Sequence, residues 1–125
     1  MITITLDWPD KDLSPNTRQH WTKLAQAKAD YRSQCWLMTR ARRADWEGKI
    51  PDSDLMLRMT FVPPDNRIRD RDNLIARMKS GIDGLAEALG IDDSRFTTIC
   101  ASMRKPGAHP CVLMTITGDD TDEEV

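Results

Sequence analysis

The chain has 125 residues, 39% of them hydrophobic and 30% charged, with a formal net charge of −2. That is enough for one core of ordinary domain size under a heavily charged surface, and small enough for a dimer interface to add stability. No apolar run approaches the roughly 18 residues of a membrane span, and the opening "MITITLDWPD" has no basic region followed by an apolar core, so neither a membrane protein nor a secreted one is expected.

Three cysteines, at positions 35, 100 and 111, form no C-x-x-C pair. Their odd number and wide spacing argue against a disulfide framework or a zinc site, and buried free thiols in a reducing cytoplasm are expected. The net charge hides an asymmetry. Residues 119–124, "DDTDEE", hold five of the twenty acids, and without them the balance is 18 basic against 15 acidic. Residues 18–43 carry seven basic side chains, Arg18, Lys23 and Lys28 among them, and a single acid, Asp30. Such a segment is either a solvated helix face or a surface for a polyanion. The acidic end reads as a disordered, solubilising tail over 119–125.

In chain order, "MITITL" alternates Ile2, Ile4 and Leu6 with threonine, the period of a half-buried strand. A Pro- and Asp-rich loop follows. Trp21, Leu24, Lys28, Tyr31, Cys35 and Met38 then recur at steps of three and four, which predicts a long helix over 17–44, closed by Gly48 and Pro51. Leu55, Leu57, Met59 and Phe61 alternate in a second strand over 54–62, stopped by Pro63 and Pro64. A second helix is expected over 72–89, with Leu74, Ile75, Met78, Ile82, Leu85 and Leu89 as its stripe and Gly90 as its C-terminal cap. "RFTTICASMR" and "CVLMTIT" read as two strands joined by the turn "KPGAHP". The expected class is therefore α+β: a small mixed sheet with two main helices in the order strand, helix, strand, helix, strand, strand.

Between the second strand and the second helix, "NRIRDRDNL" interleaves Arg67, Arg69 and Arg71 with Asp70 and Asp72. Asp72 is well placed to cap the helix, since a carboxylate there accepts free first-turn amides and meets the positive end of the dipole. Capping leaves Asp70 unexplained, along with a second pair, Asp92 and Asp93, beyond the helix. In extended backbone, residues two apart face the same side, so Asp70 and Asp72 can turn toward one ion. Magnesium takes oxygen ligands and keeps several waters, so two or three carboxylates suffice. Lys79 and Asp83 lie about two and three turns after Asp72 and share its face. A lysine there can neutralise a phosphate oxygen, and a divalent ion on carboxylates lowers the pKa of bound water. The arginines offset carboxylate repulsion and suit bidentate phosphate contacts.

"RDRDNL", "KSGIDGL" and "GIDDSRF", in that order, resemble the RusA family of Holliday-junction resolvases, whose signature is a D-x-D-N pair opening a helix, a lysine and a D-x-L within it, and a G-x-x-D-D turn after it. "ITLDWPDKDLSPNTRQHW" and the closing "CVLMTIT" are similar to that family's first and last strands, so the likeness runs to about residue 118 and treats 1–118 as a single nuclease domain. The resemblance implies a homodimeric, magnesium-dependent endonuclease, with manganese as a substitute ion, that nicks four-way DNA junctions in recombination and repair; many members are phage- or prophage-encoded. By position, Asp70, Asp72 and Asp93 match the catalytic, metal-binding carboxylates, with Asp92, Asp83 and Asn73 as secondary candidates. Lys79 matches the catalytic lysine when the register is set from "KSGIDGL"; set from "DN", that position falls at Ala76, one turn earlier. Arg67, Arg69, Arg71, Arg18, Lys23 and His20 are candidate DNA contacts. His109 reads as structural, and Trp8, Trp21, Trp36 and Trp46 as packing groups more than base-stacking ones. Two other readings compete: a branched-DNA-binding module that no longer cuts, and a sugar-nucleotide enzyme using D-x-D, for whose nucleotide domain the chain leaves little room.

Overall fold

The computed structural model describes residues 1–14 and 21–119. The expectations for Arg18, His20 and the tail beyond Asp119 lie outside them. Strand β1 (Ile2–Asp7) leads through a 3-10 turn to helix α1 (Trp21–Ala41) and a short helix α2 (Arg43–Trp46). Strand β2 (Leu55–Val62), helices α3 (Arg71–Arg77) and α4 (Lys79–Leu89), a second 3-10 turn, β3 (Phe96–Met103) and β4 (Cys111–Gly118) complete the order. The class is α+β with one four-stranded mixed sheet.

The sheet order is β1-β4-β2-β3. Strand β4 lies antiparallel between β1 and β2, so Met114 stands opposite both Ile4 and Met59. The last two strands were expected to form a hairpin, and they do not pair. Strand β3 instead joins the far side of β2 in parallel, with Leu57 opposite Ile99. The reason is the β2–helix–β3 crossover, which brings the chain back parallel to its starting strand. The loop after β3 then carries the chain past the end of β2, where the Arg104 amide bonds the Phe61 carbonyl.

Period-two alternation holds in β1, β2 and β4, whose inward residues Ile2, Ile4, Leu6, Leu55, Leu57, Met59, Phe61, Val112, Met114 and Ile116 are all buried. The opposite face, with Thr3, Thr5 and Arg58, is exposed. Helices α1 and α4 pack side by side over the inward face. Residues Gly81 and Gly84 make that approach possible: a Cβ at Gly84 would run into the Arg32 backbone carbonyl of α1, and one at Gly81 into the Tyr31 ring.

Helix α1 ends at Ala41, earlier than expected, and its buried stripe begins later. Tyr31, Cys35 and Thr39 are buried, while Trp21 is 73% exposed. In the first turns Leu24 lines a cleft and Ala27 packs only partly against the core. At the other end Trp46 is buried with its indole N–H on the Thr39 carbonyl at 2.9 Å. Of the three free cysteines, only Cys35 is buried; Cys100 and Cys111 are half-buried, against expectation, because they project from the uncovered side of the sheet. Asp119, expected to open the disordered tail, is anchored through its amide to the Asp54 carbonyl and through its carboxylate to the Thr97 and Thr98 hydroxyls.

Candidate functional site

The charged junction begins at an Asx turn. Asp65 accepts the Arg67 amide at 3.0 Å and the Arg69 guanidinium at 2.7 Å. These bonds, led by the backbone amide, hold its carboxyl below the ordinary range. Arg69 also donates to the Asp65 and Arg67 carbonyls and lies 5.4 Å over the Trp8 ring, which meets Phe61 edge-on. Its side chain is only 16% exposed, so Arg69 is the internal brace of the loop, whereas Arg67 and Arg71 face solvent. Asp65 was missed in the sequence, although "PPD" carries the turn signal that finds it.

Helix α3 is capped by Asp70, not by Asp72 as expected. Asp70 has extended backbone, φ −72° and ψ 117°, and its Oδ1 accepts the amides of Asp72 at 2.9 Å and Asn73 at 3.4 Å. Asp72 stands in the first turn, exposed, where its charge meets the positive end of the helix. Asn73 ties the helix to the β1 side: its Oδ1 accepts the Ser14 hydroxyl at 2.9 Å. The expected single helix is broken at Met78, just before the Ser80–Gly81 pair, a dipeptide that readily interrupts a helix. The C-terminal end follows expectation, with Gly90 left-handed at φ 75°.

Lys79 opens α4 and joins two carboxylates that are ten residues apart. Its Nζ donates to Asp83 Oδ1 at 2.8 Å and to Asp93 Oδ2 at 3.2 Å. The chain turns back after Gly90 through the 3-10 turn Asp93–Arg95, and this return brings Asp93 to the lysine. Both partners, Asp83 first, hold the Lys79 ammonium above its ordinary pKa. Asp92 has a different job: its carboxylate caps the 3-10 turn on the Ser94 amide at 2.9 Å, which lowers its pKa. Lys23 lies farther along the surface, 3.8 Å from Asp12.

The structure thus unites Lys79, Asp83 and Asp93, and places Asp70 and Asp72 together at the start of α3. Among the described residues, no three carboxylate, histidine or cysteine side chains converge as a ready metal site. The available donors are hard carboxylate oxygens, the kind that suits magnesium. Beside Lys79 lies a cleft of about 590 Å³ between α1 and the α3–α4 pair, lined by Lys28, Arg32, Arg77, Ser80 and Asp83. Arg77 and Ser80 were not singled out in the sequence; the signal that points to the cleft is Lys28 and Arg32, one turn apart on α1.

No protein-family model matches the chain. An uncharacterized protein of Xylella fastidiosa (strain Temecula1 / ATCC 700964) is 45% identical to it over 123 residues, which cover 94% of this chain and 77% of that protein. The chain belongs to that protein's family. The name of that relative states no activity, so the functional reading is built on the geometry of the junction. No described helix is long and apolar enough to cross a membrane.

Proposed function

We propose that this protein is a RusA-like, magnesium-dependent endodeoxyribonuclease that acts as a homodimer on four-way DNA junctions. The observation that carries this reading is the contact between Lys79 and Asp93. The two residues come from separate motifs, "KSGIDGL" and "GIDDSRF", and the fold brings them within 3.2 Å. The same contact supports Lys79 over Ala76 as the functional position, because Lys79 supplies the cation beside Asp93.

Asp70, Asp72 and Asp93 would hold the ion, with Asp83 as a neighbouring carboxylate. Magnesium, when bound, supplies a Lewis acid and a water of lowered pKa. The residues of the chain do the rest. Arg67 and Arg71, both exposed, would meet the phosphates flanking the scissile bond. The Lys79 side chain is 68% exposed, so it is free to leave one carboxylate for a non-bridging phosphate oxygen. There its charge offsets the negative charge that builds as water adds to phosphorus and the P–O ester bond breaks. A carboxylate takes the proton of the attacking water. Two such sites related by a dimer axis would account for paired nicks on opposing strands.

The test is incubation with a synthetic four-way junction, with and without magnesium, beside an Asp72→Asn variant. The expected result is nicking by the native chain in magnesium only, abolished in the variant, with junction binding retained. A native chain that binds the junction and never nicks it, with magnesium or manganese, would convert the reading to a binding module. Nicking that survives Asp72→Asn would remove Asp72 from the site.

A further inference from the structure

The cleft between α1 and the α3–α4 pair carries a charge imbalance that the candidate nuclease site does not use. Four cations line it, Lys28, Arg32, Arg77 and Lys79, against one carboxylate, Asp83. Arg32 is paired with Glu87 at 2.8 Å, and Lys79 with Asp83 and Asp93. Lys28 and Arg77 make no hydrogen bond or ion pair with any described residue. Of these two, Arg77 is the unusual one. Its Nε is shut off from solvent and lacks a hydrogen-bond partner, and so does the hydroxyl of Ser80, another residue lining the cleft. A buried donor without an acceptor costs on the order of 1–3 kcal/mol, more when it is charged, so two in one cleft call for an acceptor. Burial, with the repelling charge of Arg69, pulls the Arg77 guanidinium below its ordinary pKa, and the Asp10 carboxylate offsets only part of that.

We infer that this cleft is a phosphate-binding site, in which Arg77 and Lys28 supply the charge and Ser80 a hydroxyl donor. A tetrahedral oxyanion suits the donor set. A guanidinium offers parallel N–H groups, the hydroxyl a third donor and the ammonium a point charge. Binding would require the Arg77 and Ser80 side chains to turn these enclosed donors toward a ligand in the cleft. Lys79 and Asp83 line the cleft and also belong to the candidate nuclease site, so a phosphate held here would sit beside that site. This reading deepens the nuclease proposal and rests on it only for the source of the phosphate: a backbone phosphate next to the one attacked, or otherwise a free phosphate or phosphomonoester.

The test follows the Arg77 Nε–Hε cross-peak by NMR, assigned by its disappearance in Arg77→Lys. Titration with inorganic phosphate against sodium chloride at equal ionic strength should move the peak saturably. Lys28→Gln, a change at an exposed position, should weaken that titration. In a second arm, junction DNA is titrated without magnesium over a range of salt. If the phosphate comes from the backbone, Lys28→Gln should lower the slope of log K against log salt by about one. A phosphate shift with no change in that slope keeps the anion site and assigns it to a small phosphate. If neither inorganic phosphate nor junction DNA moves the cross-peak, the inference is overturned. Junction binding and a phosphate shift without any nicking would sink the nuclease reading and leave the cleft site standing.

Discussion

Helix α4 has two faces built to opposite rules. Toward α1 it presents Gly81 and Gly84, with no side chain to yield, against the buried Tyr31–Cys35 seam. Toward solvent it presents the exposed Lys79, free to exchange partners, and the half-buried Asp83. On the inner face, shape decides: a single added carbon meets backbone. On the outer face, charge decides, and exposed ion pairs contribute little to stability. The same short helix therefore fixes the fold and presents the candidate chemistry, and substitutions should separate the two.

The largest effect belongs to the outer face. Asp93→Asn should lower magnesium-dependent nicking by a hundredfold or more, roughly 3 kcal/mol at the transition state. Its urea midpoint should stay within about 0.5 kcal/mol of the native chain, as for an exposed surface position. Loss of folding in parallel with activity would show that the Lys79–Asp93 contact is structural.

Gly84→Ala should do the reverse. Its methyl group needs the space held by the Arg32 carbonyl, and overpacking of this kind costs about 1–3 kcal/mol or more. Thermal unfolding measures the loss, and nicking per folded molecule should persist at low temperature. An unchanged melting temperature would mean that the α1–α4 seam is looser than its geometry.

Both faces of this contrast have a partial signature in the amino-acid sequence. All four strands were legible, and in β1, β2 and β4 alternation reports one buried face without reference to the rest of the fold. Strand neighbours were not: nothing in "KPGAHP" reveals that β4 will lie on the other side of β2 from β3. The stripe on α1 was right in period and wrong in extent. Periodicity places Trp21 in line with Tyr31 and Cys35, but cannot show that burial on that line begins only at Tyr31. At the site, Asp70, Asp72, Lys79 and Asp93 were picked out by spacing and motif, and the Lys79–Asp93 contact is close enough to test. The cleft was not visible, because Lys28 and Arg77 are 49 positions apart and meet only through the packing of α1 on the α3–α4 pair.

The buried seam should also respond to alkali. Burial pushes the Cys35 thiol up to about 12 from 9.0 and raises the Tyr31 phenol, which donates to the Asp7 carbonyl at 2.6 Å. In this range the folded chain keeps protons that the unfolded chain gives up. The stabilising contribution is whole below about pH 9 and shrinks as pH rises toward 12, at about 1.4 kcal/mol per pH unit for each group. Urea titrations at a series of pH values should show that slope beginning near the ordinary thiol value. Cys35→Ala should flatten its first part, leaving the portion due to Tyr31. A stability profile flat to pH 11 would contradict the packing of the seam.

The smallest expected effect separates two roles at one residue. Asp70 caps α3 with a single oxygen, and loss of an N-cap costs about 1 kcal/mol. Asparagine caps nearly as well as aspartate but lacks its charge. Asp70→Asn should therefore keep the stability of the native chain and lose magnesium-dependent nicking, whereas Asp70→Ala should lose both. Asp72→Ala, at a position that makes no cap, should cost less stability than Asp70→Ala. If the order is reversed, with Asp72→Ala the more destabilising, then Asp72 is the cap, the helix begins where spacing alone would start it, and Asp70 is released to serve only the ion.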